Sequence, residues 1–261
     1  MWKRFQTVLV ELVGELKPLR SPVQGAAGVA GLVARRMVGA CWPHRGQFIT
    51  PMAAVAGAVA DELIDQVRGA PGIRKAYVNN GGDIALHLTR GERYRVGVFF
   101  DLGSVERRKE LGLDGDFEIT AETPTRGVAT SGWRGRSFSL GIADSVTVLA
   151  ASAAHADASA TMIANAVNVD DPAILRQPAC DLKDDTDLDD RLVTVEVGVL
   201  SDPKVTQALA GGYAHARQLL EAGTIHGAVL CLQGRVRVIG QALGTRRMLP
   251  VARAESNSPL R

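Results

Sequence analysis

A glycine pair flanked by an amide and a carboxylate is the sharpest local candidate for ligand contact. The segment runs from Asn80 through Gly81 and Gly82 to Asp83, at a break between two predicted strands. Paired glycines let a backbone approach a ligand closely and aim N–H groups at an anion, with Asp83 as an acceptor at the rim. The same residues suit a plain hairpin turn. Spacing alone leaves both interpretations open.

A second candidate combines hydroxyls, glycine and arginines. Thr130, Ser131 and Gly132 stand together, with Arg134 and Arg136 close behind them. Hydroxyls and guanidinium groups in such a cluster suit a phosphate or a carboxylate. A polar turn with exposed arginines explains the pattern equally well, because arginines usually lie on the surface.

A third candidate is a carboxylate and a hydroxyl within an alanine-rich segment. Asp157 and Thr161 are four residues apart, so a helix places them on one face. A hard cation such as Mg²⁺ accepts a carboxylate, a hydroxyl and waters, which makes this pair a candidate metal site. The alternative is an acidic residue that complements the dipole near a helix N-terminus.

Other catalytic and metal patterns are weaker. Asp185, Asp187, Asp189 and Glu196 follow the spacing of a calcium loop, but Asp190 stands where that loop requires glycine. The five histidines show no zinc-site spacing, and Ser131 does not lie in a nucleophile-elbow sequence. We therefore expect neither a calcium loop nor a serine-hydrolase site.

Composition narrows the class of protein. The formal net charge is +2 and aromatic residues make up 5%, with no basic run interleaved with aromatics, so nucleic acid is not expected as a partner. Cys41, Cys180 and Cys231 are far apart and form no CxxC pair, which favours free thiols in a reducing compartment. No run of about twenty apolar residues occurs. These features predict a cytoplasmic protein with a small-molecule ligand, no membrane partner and a homodimer as an option.

The N-terminal segment has the spacing of an amphipathic helix rather than of a signal peptide, because charges interrupt its apolar residues. The apolar positions are Trp2, Phe5, Leu9, Leu12, Val13 and Leu16. This spacing predicts one buried stripe.

The remaining pattern predicts an α+β fold, because helices and strands do not alternate strictly. Helices are predicted over 52–67, 152–167 and 204–222. Strands are predicted over 75–79, 84–88, 94–100, 117–122, 136–140, 145–150, 192–199, 227–232 and 236–239. Each half, 1–122 and 123–240, has one long alanine-rich helix and several strands, which suggests two related halves of one domain. Residues 101–116 are expected to be a surface excursion, and residues 241–261 a flexible tail.

Four motifs together resemble a known family. NNGGDI at 79–84, GVATSG at 127–132, SVTVLA at 145–150 and ADASAT at 156–161 occur in the order found in the ApbE family, the bacterial FAD:protein FMN transferases. The closer resemblance is to an uncharacterised cytoplasmic ApbE-like family, over about 30–240. It implies an ApbE/T-fold-like architecture of two intertwined helix-on-antiparallel-sheet layers. It also implies a pocket lined by residues 81–83 and 130–132, with Mg²⁺ held by Asp157 and Thr161.

Two departures from the transferases shape the expected function. Their histidine-bearing loop has no counterpart, since Trp133–Asp144 contains no histidine, and Ala56 replaces the lysine that should precede Gly57 and Asp61. We therefore expect an enzyme that acts on an anionic small molecule with the help of Mg²⁺ and does not transfer FMN. A divergent FMN transferase that uses FAD, and a non-catalytic flavin- or metabolite-binding protein, are the alternatives.

Overall fold

The computed structural model describes residues 1–25, 28–98 and 115–240. Its centre is a six-stranded antiparallel sheet in the order β1-β2-β5-β6-β9-β10. The strands of the chain are β1 (Lys75–Asn80), β2 (Asp83–Leu88), β3 (Arg93–Val98), β4 (Gly115–Thr120), β5 (Gly127–Ser131), β6 (Ser145–Ala150), β7 (Ile174–Pro178), β8 (Leu192–Val197), β9 (Gly227–Leu232) and β10 (Arg235–Ile239). Both halves of the chain thus contribute strands to one sheet.

The helices of the described residues are α1 (Trp2–Gly14), α2 (Leu16–Leu19), α3 (Leu32–Cys41), α4 (Val55–Asp65), α5 (Ala153–Ala166), α6 (Ala179–Leu182) and α7 (Asp202–Glu221). Two 3₁₀ turns, Trp42–His44 and Pro51–Ala54, precede α4. Helix α5 lies against β5 and β6, and it contacts α3, α4 and α7. It is therefore the central helix of the layer.

Small residues allow α4 and α5 to cross closely. A Cβ atom placed on Gly57 would lie 2.3 Å from the carbonyl oxygen of Ala153. No larger residue fits there without separating the helices. The abundance of alanine and glycine in these two segments is therefore a packing requirement.

The other face of the sheet is covered by the β3–β4 ribbon. Phe117 and Ile119 of β4 pack with Leu86, Val128 and other buried residues of the central strands. A second ribbon, β7–β8, is joined to the sheet layer through the backbone bond from Thr194 N–H to the Ser139 carbonyl (2.8 Å).

The α+β prediction is confirmed, and most of the predicted helices and strands are present. Residues 136–140 do not form the predicted strand. Gly135 closes a turn onto Gly132, and the Leu140 N–H donates to the side chain of Asn165 instead of to a strand.

Strands β5 and β7 were not predicted. Hydroxyls and glycines in β5 and polar residues in β7 hide the alternation of apolar and polar residues that is typical of a strand. The end of the strand predicted over 94–100, most of the 101–116 excursion and the 241–261 tail lie outside the described residues.

The predicted burial of the N-terminal stripe is wrong. Val8 is the buried residue of α1, whereas Trp2, Phe5, Leu9 and Val13 are exposed. Helix α1 contacts the protein body through the neighbouring face, because Arg4 and Glu15 make polar contacts there. Among the helices of the described ranges, none is long and apolar enough to cross a bilayer.

Candidate functional site

The glycine pair forms the two-residue turn between β1 and β2. Asn80 pairs with Asp83 across the hairpin, and Gly81 and Gly82 have φ of +74° and +115°, which side chains disfavour. The Gly82 N–H donates to the Asn79 side-chain oxygen at 2.9 Å, so this N–H already has an intramolecular acceptor. The hairpin interpretation is thus correct, and of the two glycines Gly81 keeps the candidate N–H for a ligand.

The turn is fixed to the start of α4. The side-chain amide of Asn80 donates to the carbonyl oxygen of Ala56 at 3.1 Å. Because Ala56 and Gly57 form the first turn of α4, the hairpin and the helix N-terminus lie side by side.

Asp83 begins β2 beside this turn, and its carboxylate is buried. Burial raises the pKa of Asp83 to about 6, while the Thr130 N–H and the Arg136 guanidinium oppose that rise. Its Oδ1 atom has no hydrogen-bond partner within the described residues. A buried carboxylate oxygen without a hydrogen-bond donor destabilises the folded state unless a proton or a cation binds it.

Asp157 reaches the same place from α5. Its Oδ2 accepts the Gly57 N–H at 3.0 Å. Asp157 therefore caps the N-terminus of α4, and its role is not limited to complementing the dipole of its own helix α5. Burial, and next the negative charge of Asp83, raise the pKa of Asp157 well above its usual range. Two carboxyl groups, one from β2 and one from α5, are therefore close enough to interact electrostatically.

Asp61 was not among the predicted site residues. Its two carboxylate oxygens accept the N–H groups of Ala153 and Ala154 at 3.0 and 2.9 Å, which caps α5 from α4. Burial raises the pKa of Asp61, and these N–H groups oppose the rise. The sequence does contain a sign of this role, because an aspartate two turns into an alanine-rich helix contributes little to the stability of its own helix. Since Asp61 and Asp157 occupy the helix N-termini, the start of α5 is already bonded and is not an open anion site.

The hydroxyl cluster is the end of strand β5. Thr130 is exposed, shares a hydrogen bond of 2.8 Å with the hydroxyl of Thr147, and donates its N–H to Asp83. Ser131 is partly exposed and pairs with Val146 of β6. Close packing explains the glycine at position 132, because a Cβ there would lie 2.4 Å from the Asp144 carbonyl oxygen.

The side chains of Arg134 and Arg136 point to different parts of the molecule. The Arg136 guanidinium lies against the hairpin, 3.4 Å from where a Cβ of Gly81 would be. The Arg134 guanidinium instead lies 4.8 Å above the Trp133 ring and 3.8 Å from the Asp144 carboxylate. The structure thus brings Arg136 to the site and directs Arg134 toward a neighbouring ion pair.

Residues of the three distant segments are neighbours in the structure. Asp83 contacts Thr130, Arg136 contacts Gly81, and Asp157 interacts with Asp83. Thr161 lies one helical turn beyond Asp157 and is partly exposed. The geometry offers a carboxylate pair beside a guanidinium and hydroxyls.

This donor set fits Mg²⁺ better than a transition metal. The described ranges contain no group of three histidine, cysteine or acidic side chains placed to hold a metal. Mg²⁺ commonly uses one or two carboxylates and completes its shell with waters and substrate oxygens. Asp83, with its unpartnered oxygen, and Asp157 supply that number of carboxylates.

The chain is similar to UPF0280 proteins of archaea. A UPF0280 protein of Methanopyrus kandleri is 36% identical over 201 residues, which cover 75% of this chain and 74% of that protein. UPF0280 proteins of Methanothermobacter thermautotrophicus and Methanoculleus marisnigri are 40% and 38% identical over 58% and 49% of this chain, and over 55% and 49% of their own lengths. The chain thus matches about half the length of several of these relatives.

A family model described as "AbpE bacteria" matches residues 1–238, and the chain belongs to this ApbE-like family.

Proposed function

We propose that the protein is an enzyme that acts on an anionic small molecule with the assistance of Mg²⁺, at the junction of the β1–β2 turn, the end of β5 and the α4–α5 crossing. The observation that carries this proposal is the Asp83–Asp157 pair, in which Asp83 is buried, Asp157 is half-buried, and Asp83 Oδ1 has no hydrogen-bond partner among the described residues. Two interacting carboxyl groups that are withdrawn from water, one of them with an open acceptor, are costly to folding, and such an arrangement is typical of a functional site.

Asp83 and Asp157 would hold the cation, with the Thr161 hydroxyl as a further oxygen ligand. Bound Mg²⁺ would neutralise the facing carboxylates and stabilise negative charge on a phosphate or carboxylate of the substrate. The remaining hydrogen bonds of this region, from Gly57 and Thr130 to the two carboxylates, keep their oxygens in place without the cation.

The substrate side of the site is cationic and polar. Arg136 is exposed beside the turn, and its planar guanidinium can donate two parallel hydrogen bonds to a phosphate or carboxylate. The Gly81 backbone lies beside this guanidinium, and its N–H would add a neutral donor. A substrate with a phosphate or carboxylate group fits this set, and transfer or hydrolysis at such a group is the reaction class that it favours.

A flavin role is the second candidate, because the chain belongs to an ApbE-like family and shares the NNGGDI and ADASAT segments with the flavin transferases. FAD would bring its diphosphate to the same cation and arginine. Mass spectrometry of small molecules released from the purified protein separates the candidates: FAD supports this second one, and a phosphorylated or carboxylated metabolite supports the first.

Cys41 and Cys231 are buried and Cys180 is exposed, and none of the three is bonded to another; we propose a cytoplasmic location on that basis.

The two arginines give the test of the anion site. We expect inorganic pyrophosphate with Mg²⁺ to bind the wild-type protein, and Arg136→Gln to weaken that binding about tenfold or more, as the loss of a charge-assisted pair implies. Arg134→Gln is the matched control and should leave binding within about twofold of wild type. Equal losses in both variants, or no pyrophosphate binding by the wild type, would contradict the assignment.

A further inference from the structure

Helix α1 carries an exposed apolar stripe that nothing in the described chain covers. Trp2, Leu9 and Val10 are 68%, 70% and 74% exposed, and Phe5 and Val13 are also exposed. The rings of Trp2 and Phe5 contact each other with centroids 5.8 Å apart. Single exposed apolar residues are ordinary, but five on one short helix form a patch of the kind that marks an interaction surface.

The helix is held so that this stripe faces outward. Arg4 donates to Glu62 of α4 at 2.7 Å, and Val8 is buried against the body. At the other end, the Glu15 carboxylate accepts the N–H groups of Ala30 and Gly31, both at 2.7 Å. Rotating α1 to bury the stripe would break all of these contacts.

Positive charge exceeds negative charge around the stripe, with Lys3, Arg4 and Lys17 against Glu11 and Glu15. Glu11 is paired with Arg4, and the Glu15 carboxylate is partly buried and accepts backbone N–H groups of its own chain. Lys3 and Lys17 are exposed and form no ion pair with any residue that the structure describes. The border of the apolar stripe therefore carries unbalanced positive charge.

This charge pattern disfavours a second copy of the chain as the partner. In a two-fold symmetric contact, the same patch meets itself. An antiparallel pairing of α1 helices brings Lys3 of one copy toward Lys17 of the other, and a parallel pairing brings each lysine toward its own equivalent. Like charges would meet in both cases, because the carboxylates of Glu11 and Glu15 are already engaged within their own chain.

We propose that α1 docks the protein onto an anionic lipid surface. A helix with tryptophan, phenylalanine and leucine on one face and cations beside it lies in the plane of the bilayer interface, with its apolar face among the headgroups and acyl chains. The tryptophan ring suits that depth. The attachment is peripheral, and it places the Arg4–Glu62 ion pair between the lipid-facing helix and α4, the helix that carries Gly57 and Asp61.

Co-sedimentation of the full chain with vesicles tests this inference. We expect binding to phosphatidylcholine–phosphatidylglycerol vesicles and much weaker binding to phosphatidylcholine alone. The double variant Lys3→Gln/Lys17→Gln should weaken binding to the anionic vesicles by up to about thirtyfold, at about tenfold per 1.4 kcal/mol of lost attraction. Trp2→Ser/Leu9→Ser should weaken it at least tenfold.

Val199→Ser is the matched control for the apolar changes, because Val199 is 94% exposed and lies outside α1. It should bind vesicles as the wild type does. All of these residues are exposed, so thermal unfolding should change little in every variant. Failure of the wild type to bind anionic vesicles would overturn the proposal. So would concentration-dependent dimerisation, seen by light scattering, that Trp2→Ser/Leu9→Ser abolishes while vesicle binding persists.

Discussion

Asp61 and Asp157 occupy equivalent positions in the crossing of α4 and α5, yet only Asp157 interacts with the carboxylate of Asp83. Each lies within one helix and caps the N-terminus of the other. Both oxygens of Asp61 are bonded to backbone N–H groups, and the site carboxylate Asp83 is not among the groups that shift its pKa. Asp157 faces Asp83, whose charge raises its pKa further. Both aspartates accept backbone N–H groups of the neighbouring helix, and they differ in that Asp157 also interacts with the carboxylate of Asp83.

The largest effect is expected for Asp61→Ala. This change leaves the N–H groups of Ala153 and Ala154 buried without acceptors, so we expect a loss of roughly 3–4 kcal/mol in the free energy of unfolding. Urea unfolding measures it. Asp61→Asn keeps one acceptor oxygen and should cost clearly less. A loss below about 1 kcal/mol in Asp61→Ala would show that the cap is not structural.

Asp83→Asn should have the opposite effect on the free energy of unfolding and stabilise the protein at high pH. A carboxyl group whose pKa is raised by folding, here to about 6, contributes stability below its unfolded pKa and loses that contribution as pH rises through 6. Without metal, Asp83→Asn should therefore stabilise the protein at pH 8, by up to about 3 kcal/mol, and have little effect at pH 4. Urea unfolding at the two pH values checks this. A variant less stable than wild type at pH 8 would contradict the described environment of Asp83.

Gly57→Ala should produce a smaller loss. Its Cβ would meet the carbonyl of Ala153, so the helices must separate, and we expect destabilisation of about 2 kcal/mol. Because separation lengthens both reciprocal caps, amide hydrogen exchange at Gly57 and Ala153 should accelerate together. Faster exchange at only one of the two helix starts would mean that the caps are independent. Gly46→Ala is the matched control, because a Cβ at this position would meet no atom within 4 Å. Gly72→Ala would not serve, because the positive φ of Gly72 is itself unfavourable for alanine.

Local pattern predicted much of the secondary structure, and it singled out several residues that the structure brings close together, among them Gly81, Asp83 and Arg136. It could not distinguish Arg134 from Arg136, because only the turn Gly132–Gly135 sends one guanidinium toward Asp144 and the other toward Gly81. It missed Asp61, since the role of that carboxylate depends on a helix about ninety residues away in the sequence. It predicted burial for the α1 stripe because helical spacing shows which residues share a face but not what that face meets. Long-range packing supplied each of these facts.

Calorimetric titration with Mg²⁺ tests whether the Asp83–Asp157 pair binds a cation and Asp61 does not. We predict weak binding to the wild type, a loss of at least tenfold in affinity in Asp83→Asn and in Asp157→Asn, and a change within about twofold in Asp61→Asn. Asp157→Ala should abolish detectable binding. Circular dichroism confirms that each variant is folded at the titration temperature. Identical titrations for wild type, Asp83→Asn and Asp157→Asn, or no Mg²⁺ uptake at all, would contradict the account.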